Sequence, residues 1–416
     1  MSFGVNKISS FYYNFIIRSF HAALQVLVFI ATSKLLPDNE IGIYSIYVSL
    51  LAIAILIMNA NFHVGFTTKI NNGSQSLDDT ISEIYSFILL YWPLATVLCV
   101  GTFIFYESVG TYWQLFLINL LAMSFNNLAE NYLIAIGKGL FSSMLTALRS
   151  SWVLVWLAYL YNTSEIGILS VLQIMCVIEL MVAIGVLLFS HKYLNFNLRI
   201  LPARVIKQSI YKGFLYSVMA IALVVSIIGP KFYLDYFHGL EVVGQFQILY
   251  ALFIFFPNML ESTVIGVLLP NLVRLSHDNR SLVIKYIPYI AILLISLNLI
   301  VLVILFLISD QIFNFFDKNH LSFSLDFFII ISLFVVSFFT LRIFHHVLYS
   351  FNLNLELLKG YVIGFVVSIA SGYFLIDEFA IVGAAASLLL FSLPALIYFL
   401  FQYLLAVSNC KCSNAK

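Results

Sequence analysis

Seven ionisable side chains, Arg18, Glu130, Glu179, Glu261, Arg342, His345 and His346, interrupt stretches of sequence that are otherwise almost wholly apolar. A charge in such surroundings is costly unless it is paired or lines a polar pathway, so each is a candidate for handling a ligand or an ion. Glu179 and Glu261 could take up and release a coupling ion, or could simply accept a hydrogen bond from a neighbouring helix. Arginine brings a different chemistry, since its planar fork matches phosphate oxygens with two parallel hydrogen bonds.

The spacing of these residues narrows the choice. Ser124, Asn127, Glu130 and Asn131 recur at i, i+3, i+6 and i+7, which puts them along one face of a helix. Arg342, His345, His346 and Tyr349 recur at i, i+3, i+4 and i+7, and an offset of 215 residues lays Arg342 on Asn127, His345 on Glu130 and His346 on Asn131. Two such stripes suggest a cavity shared by two halves of the chain. Arg342 by itself could instead snorkel to the membrane surface, and the adjacent histidines point about 100° apart, a poor geometry for a metal. Arg18 and Glu130 fall at similar depth and could pair, either lining the cavity or closing a structural ion pair between helices. Lys231 and Asp235, i and i+4 beyond Gly229-Pro230, could meet an anionic substrate at an outer mouth, with the Gly-Pro step loosening the helix.

These residues must be positioned by membrane helices. The chain has 416 residues, 62% hydrophobic, 16% aromatic and only 9% charged, with a mean hydropathy of +1.03, where a soluble domain carries about 25% charged residues. Its solvent is lipid, which excludes a soluble enzyme, a nucleic-acid binder and a secreted disulfide scaffold. Cys99 and Cys176 sit inside apolar runs, and Cys410 and Cys412 read as two reduced thiols of a tail, since zinc wants four ligands. No cofactor is expected. Apolar runs predict twelve helices, at about 11–36, 42–61, 82–105, 112–136, 141–161, 166–190, 210–229, 242–269, 284–308, 323–350, 356–376 and 380–406. They are too long and continuous for barrel strands, so the fold class is an all-α membrane bundle. Lys7 and the long apolar segment after it, without a small-residue cleavage site, read as an uncleaved first span.

With both termini cytoplasmic, inner connectors hold 16 of the 20 Lys and Arg, including Lys69, Lys138 and Arg149, whereas outer ones hold Lys34, Lys231 and Lys318. The basic connector at 191–209 divides the chain into lobes 1–200 and 201–416, each of six helices. A weak repeat relates the halves: Gly42 and Gly244 are 202 residues apart, and Gly167 and Gly383 are 216 apart. Both members of each pair start at the same membrane face, as in a parallel transporter repeat. Outer connectors of about 4 to 14 residues leave no room for a catalytic domain. Asp38 and Glu40 resemble the early acidic pair of membrane glycosyltransferases and polymerases, but equally suit a polar turn before a helix N-terminus.

Four motifs carry a family likeness: Leu35-Leu36-Pro37-Asp38-Asn39-Glu40-Ile41-Gly42-Ile43-Tyr44-Ser45, its echo Glu241-Val242-Val243-Gly244, the run Val267-Leu268-Leu269-Pro270-Asn271-Leu272-Val273-Arg274, and Ile381-Val382-Gly383 followed by three alanines. Together they resemble the polysaccharide flippases of the multidrug/oligosaccharidyl-lipid/polysaccharide (MOP) superfamily, with the Wzx-type O-antigen translocases closest. Two departures stand out, since the tyrosine of the first motif becomes Phe246 in the echo, and an acid-base pair near the seventh helix appears here as Lys231 and Asp235 in altered order. The resemblance implies a MATE-like, V-shaped pair of lobes in a bacterial inner membrane. It implies a flippase that carries undecaprenyl-diphosphate-linked oligosaccharide to the outer leaflet by alternating access, beside a polysaccharide polymerase and a chain-length regulator. A multidrug or small-solute antiporter of the same superfamily would share the plan. A major-facilitator transporter would carry a Gly/Asp/Arg-rich signature where Val64-Gly65-Phe66-Thr67-Thr68-Lys69 stands, and peptidoglycan-precursor flippases have two further helices.

Overall fold

The computed structural model describes residues 3–71, 77–163, 167–193, 200–260, 280–322, 324–351 and 353–413. Long apolar runs dictate its elements, because a peptide in lipid must satisfy every backbone group internally. The helices are α1 (Phe3–Leu35), α2 (Asp38–Asn59), α3 (His63–Asn71), α4 (Leu77–Ile104), α5 (Trp113–Ala135), α6 (Gly139–Ser150), α7 (Trp152–Asn162) and α8 (Ile168–Tyr193). They continue as α9 (Ala203–His238), α10 (Leu240–Leu260), α11 (Arg280–Leu307), α12 (Ser309–Phe315), α13 (Leu325–Ser350) and α14 (Asn354–Ser413).

Ten helical segments among the described residues are long and apolar enough to cross a membrane, with α6 and α7 together forming one. Among the described residues the count reaches twelve when two further features are included. Ala380, with φ 45° and ψ −118°, divides α14 into two helices, and the 23 residues of α5 reach as far as a span although amides and Glu130 make it more polar. Prolines 93, 230, 257, 288 and 394 all lie inside helices. Gly229-Pro230 was expected to loosen the chain, yet α9 runs unbroken through it, because neighbouring helices tolerate a proline within a membrane bundle.

Two compact units are present, one of Met1–Ala31 with Ile43–Ile221, the other of Thr32–Gly42 with Ala222–Lys416. Their seam falls inside α9, past the basic connector, and the α1–α2 turn belongs with the second unit. Stacked and edge-on rings fill the first unit, with Phe103 and Phe116 at 3.9 Å, Phe62 and Phe87 at 4.0 Å, and Tyr47 set edge-on to Phe103. In the second, small residues let helices approach closely: Ser337 and Ser392 pair at 2.5 Å, and Ser368 and Ser387 at 3.1 Å. Apolar side chains turn outward on α4, where Leu94 is 72% and Val97 73% exposed, as a lipid-facing helix requires.

α6 shows the same logic most clearly. Phe141, Met144 and Leu148 are exposed while Ser142, Ser143 and Ser150 are buried, the reverse of a soluble helix. The polar stripe of α6 therefore points into the first unit and brings Arg149 with it.

Candidate functional site

Arg149 was expected in a cytoplasmic connector and is instead the centre of the first unit's polar interior. Its Nε donates to both Glu179 oxygens, at 3.0 and 2.9 Å, and its Nη1 donates to Glu130 Oε1 at 2.8 Å. Asn126 Nδ2 donates to Glu179 Oε2 at 2.8 Å and to the Glu179 carbonyl at 3.1 Å. Three helices, α5, α6 and α8, thus meet on one guanidinium. With both carboxylates ionised the cluster carries one excess negative charge, and a proton on either carboxyl balances it.

Beside this cluster lies a cavity of about 250 Å³, lined by His21 and Gln25 of α1, Tyr44 of α2, Thr146 and Ser150 of α6, and Trp152 of α7, as well as by Arg149 and Glu179. A hydrogen-bonded link crosses it: Gln25 Nε2 donates to Ser150 Oγ at 3.0 Å, and the same hydroxyl lies 2.9 Å from His21 Nδ1. Tyr44 and Trp152 bring their rings within 6.4 Å of each other on the wall. Aromatic rings and hydrogen-bonding side chains there adjoin a cluster of one guanidinium and two carboxyl groups.

The predicted stripe on α5 divides between two neighbours. Asn127 Oδ1 accepts from Asn59 of α2 at 3.2 Å and from Asn131 at 3.1 Å, whereas Glu130 turns toward Arg149. Arg18, the partner foreseen for Glu130, stands on an exposed face of α1. In the second unit, Arg342, His345 and His346 follow one another along α13, and Tyr361 of α14 holds His345 through a 3.0 Å contact with Nδ1. Lys231 was expected in an outer connector but is buried within α9, with its Nζ 6.0 Å from the Tyr250 ring centre, and Asp235 stands one turn further along. Lys318, also assigned to a connector, is buried against Asp38 at 2.6 Å. Glu261, Glu165 and the run from Val267 to Arg274 lie outside the described residues. Among the described residues no three His, Cys, Asp or Glu side chains group to hold a metal.

Sequence reasoning missed Arg149, Asn126, His21, Gln25 and Ser150. A signal was available in α6, where Ser142, Ser143, Thr146, Arg149 and Ser150 share one face opposite Phe141, Met144 and Leu148.

No sequence-family model matches the chain, and no curated protein matches it in sequence. Solved structures do match in shape. An inward-facing multidrug resistance MATE family transporter of the MOP superfamily aligns with a TM-score of 0.72, over 95% of this chain and 99% of its own, at 13% identity. An outward-facing transporter of that family aligns at 0.65, over 97% and 96%, also at 13% identity. The chain has the MATE-like fold. A MOP superfamily transporter from Pyrococcus furiosus, described as having a binding pocket of reversed polarity that suggests a different function, aligns at 0.59 over 96% of this chain and 95% of its own, at 10% identity. The MATE-like fold makes this chain an all-helical, multi-span membrane protein. Its polar interior in the first unit is built from α1, α2, α5, α6, α7 and α8 of that fold.

Proposed function

We propose that the protein is a transporter that moves a lipid-linked oligosaccharide diphosphate across a bacterial inner membrane, in the manner of the Wzx-type flippases its motifs resemble. One observation carries the reading: a cavity inside the first unit gathers His21, Gln25, Ser150, Tyr44 and Trp152 beside a paired charge cluster. Polar groups in spanning helices are costly, and a translocated polar solute is the natural reason to keep them beside a cavity. Aromatic faces alternating with neutral hydrogen-bonding groups suit a sugar. In this reading Arg342, with His345 behind it, holds the diphosphate or a charged sugar, and Arg18, Lys231 and Asp235 contribute along the path. Both termini are cytoplasmic, and translocation runs from the inner to the outer leaflet. Deleting the protein should make lipid-linked oligosaccharide accumulate on the cytoplasmic leaflet. No accumulation would refute the flippase reading.

A second reading, an antiporter of small solutes, is favoured by the excess carboxylate on Arg149, since a proton exchanged there could couple to a counter-transported solute. Ethidium efflux from energised vesicles, lost in Glu179→Gln, would support it against the first.

A further inference from the structure

The α1–α2 turn leaves the unit to which its own helices belong. α1 as far as Ala31 and α2 from Ile43 group with the first unit, whereas Thr32–Gly42 groups with the second. Within the second unit the turn is held by ionic contacts with one short stretch after α12. Asp38 Oδ1 accepts from Lys318 Nζ at 2.6 Å, Asp38 Oδ2 lies 2.6 Å from His320 Nε2, and Lys318 Nζ donates again to the Leu36 carbonyl at 3.0 Å. Lys34 Nζ sits 4.3 Å above the Phe315 ring.

The receiving stretch is preformed. Asp317 adopts a left-handed φ of 58°, the Lys318 amide donates to the Phe313 carbonyl at 2.9 Å, and the Leu321 amide donates to the Lys318 carbonyl at 2.9 Å. That local loop buries the Lys318 ammonium while leaving the His320 side chain half exposed. On its other side the turn meets α10 as glycine against backbone: a side chain at Gly42 would strike the Leu240 carbonyl, and one at Gly244 would strike the Asp38 carbonyl. Such a crossing has no side chain at its closest points to interlock.

We infer that Asp38, Lys318 and His320 form a releasable latch. Closed, it pins the α1–α2 turn into the second unit; released, its charges rehydrate at the water-facing end and the turn is freed. The Asp38–Lys318 pair is itself buried, but half-exposed His320 gives water access to it, whereas none of the three charged groups of the Arg149 cluster is comparably exposed and each needs the others. Under the proposed orientation the latch faces outward. Its operation rests on the proposed transport reading, but its opening can be read without knowing the cargo.

The test uses the full-length protein in membranes, with Cys99, Cys176, Cys410 and Cys412 replaced by alanine and a reporter introduced by Ser33→Cys, at a site 2% exposed. A membrane-impermeant maleimide added from outside should label the reporter slowly. Asp38→Asn or Lys318→Gln should raise labelling several-fold, and the exchanged pair Asp38→Lys with Lys318→Asp should bring it down again. Unchanged labelling in the single variants, at normal protein levels, would overturn the latch. Should those variants fail to accumulate, Asp38→Cys with Lys318→Cys joined by a short bismaleimide replaces them: tying the turn should stop surface-polysaccharide display, and undiminished display would overturn the latch, because transport would then need no opening there. Accumulation of lipid-linked oligosaccharide in the deletion strain, measured beside it, separates failure of the latch from failure of the flippase reading.

Discussion

Arg149 Nε lies 2.9 Å from Glu179 Oε2, joining α6 to α8 through two side chains separated by 30 residues. The same guanidinium reaches Glu130 on α5, so one cation organises two acids in the interior of the first unit. In low dielectric such a cluster is held less by the worth of its attraction than by the cost of leaving any member alone.

Arg149→Ala should therefore lower stability by about 3–5 kcal/mol, the usual penalty for stranding buried charges. The neutral set Arg149→Met, Glu130→Gln and Glu179→Gln should recover most of that loss. Thermal melting in detergent checks both, and an Arg149→Ala protein that melts like the wild type would contradict the role given to the cluster.

The crossing of α2 and α10 makes a second demand. Gly42→Ala and Gly244→Ala each press a methyl into a backbone carbonyl, and should cost at least the ~1–3 kcal/mol typical of overpacking. Gly101→Ala, which meets open space in the interior of α4, should be neutral or slightly stabilising. Expression and melting of the three variants side by side measure the difference.

His63, at the start of α3, offers a pH-dependent test. Burial lowers its imidazole pKa from 6.5 to about 4, and Nδ1 has no hydrogen-bond partner among the described residues. As pH falls the unfolded chain takes the proton first, so this contribution to stability is whole above pH 6.5 and is lost as pH falls from 6.5 through about 4. Melting temperatures of the wild type should decline across that window more steeply than those of His63→Gln. Parallel curves would assign the decline to other groups.

Arg342 is a test of the proposed cargo. Arg342→Ala should nearly abolish surface-polysaccharide display at matched protein levels, and Arg342→Lys should restore it only in part, because an ammonium cannot reproduce a two-bond fork. Full display by Arg342→Ala would move the anion site to Lys231 or Arg18.

Sidedness can be read directly. Reporters fused after Lys192 and after Lys318 should give opposite signals if both termini are cytoplasmic and twelve spans alternate. The same signal from both would overturn the orientation.

The amino-acid sequence by itself determined that this chain dissolves in lipid and crosses it as a dozen helices, because hydropathy sums over a local window and needs no knowledge of neighbours. It also carried the glycines of the two half-chain motifs, Gly42 and Gly244, which the fold sets at the crossing of α2 and α10. Pairing was decided by tertiary structure alone. Glu130 had Arg18 at a suitable depth, yet its carboxylate bonds Arg149, and Asp38, read as a polar turn residue, bonds Lys318 across 280 residues. Each residue turns a helix face by about 100°, so a choice of partner depends on how every helix is rotated about its axis. In helices that are apolar almost all round, periodicity barely signals that rotation, and only the packed bundle settles which polar groups meet.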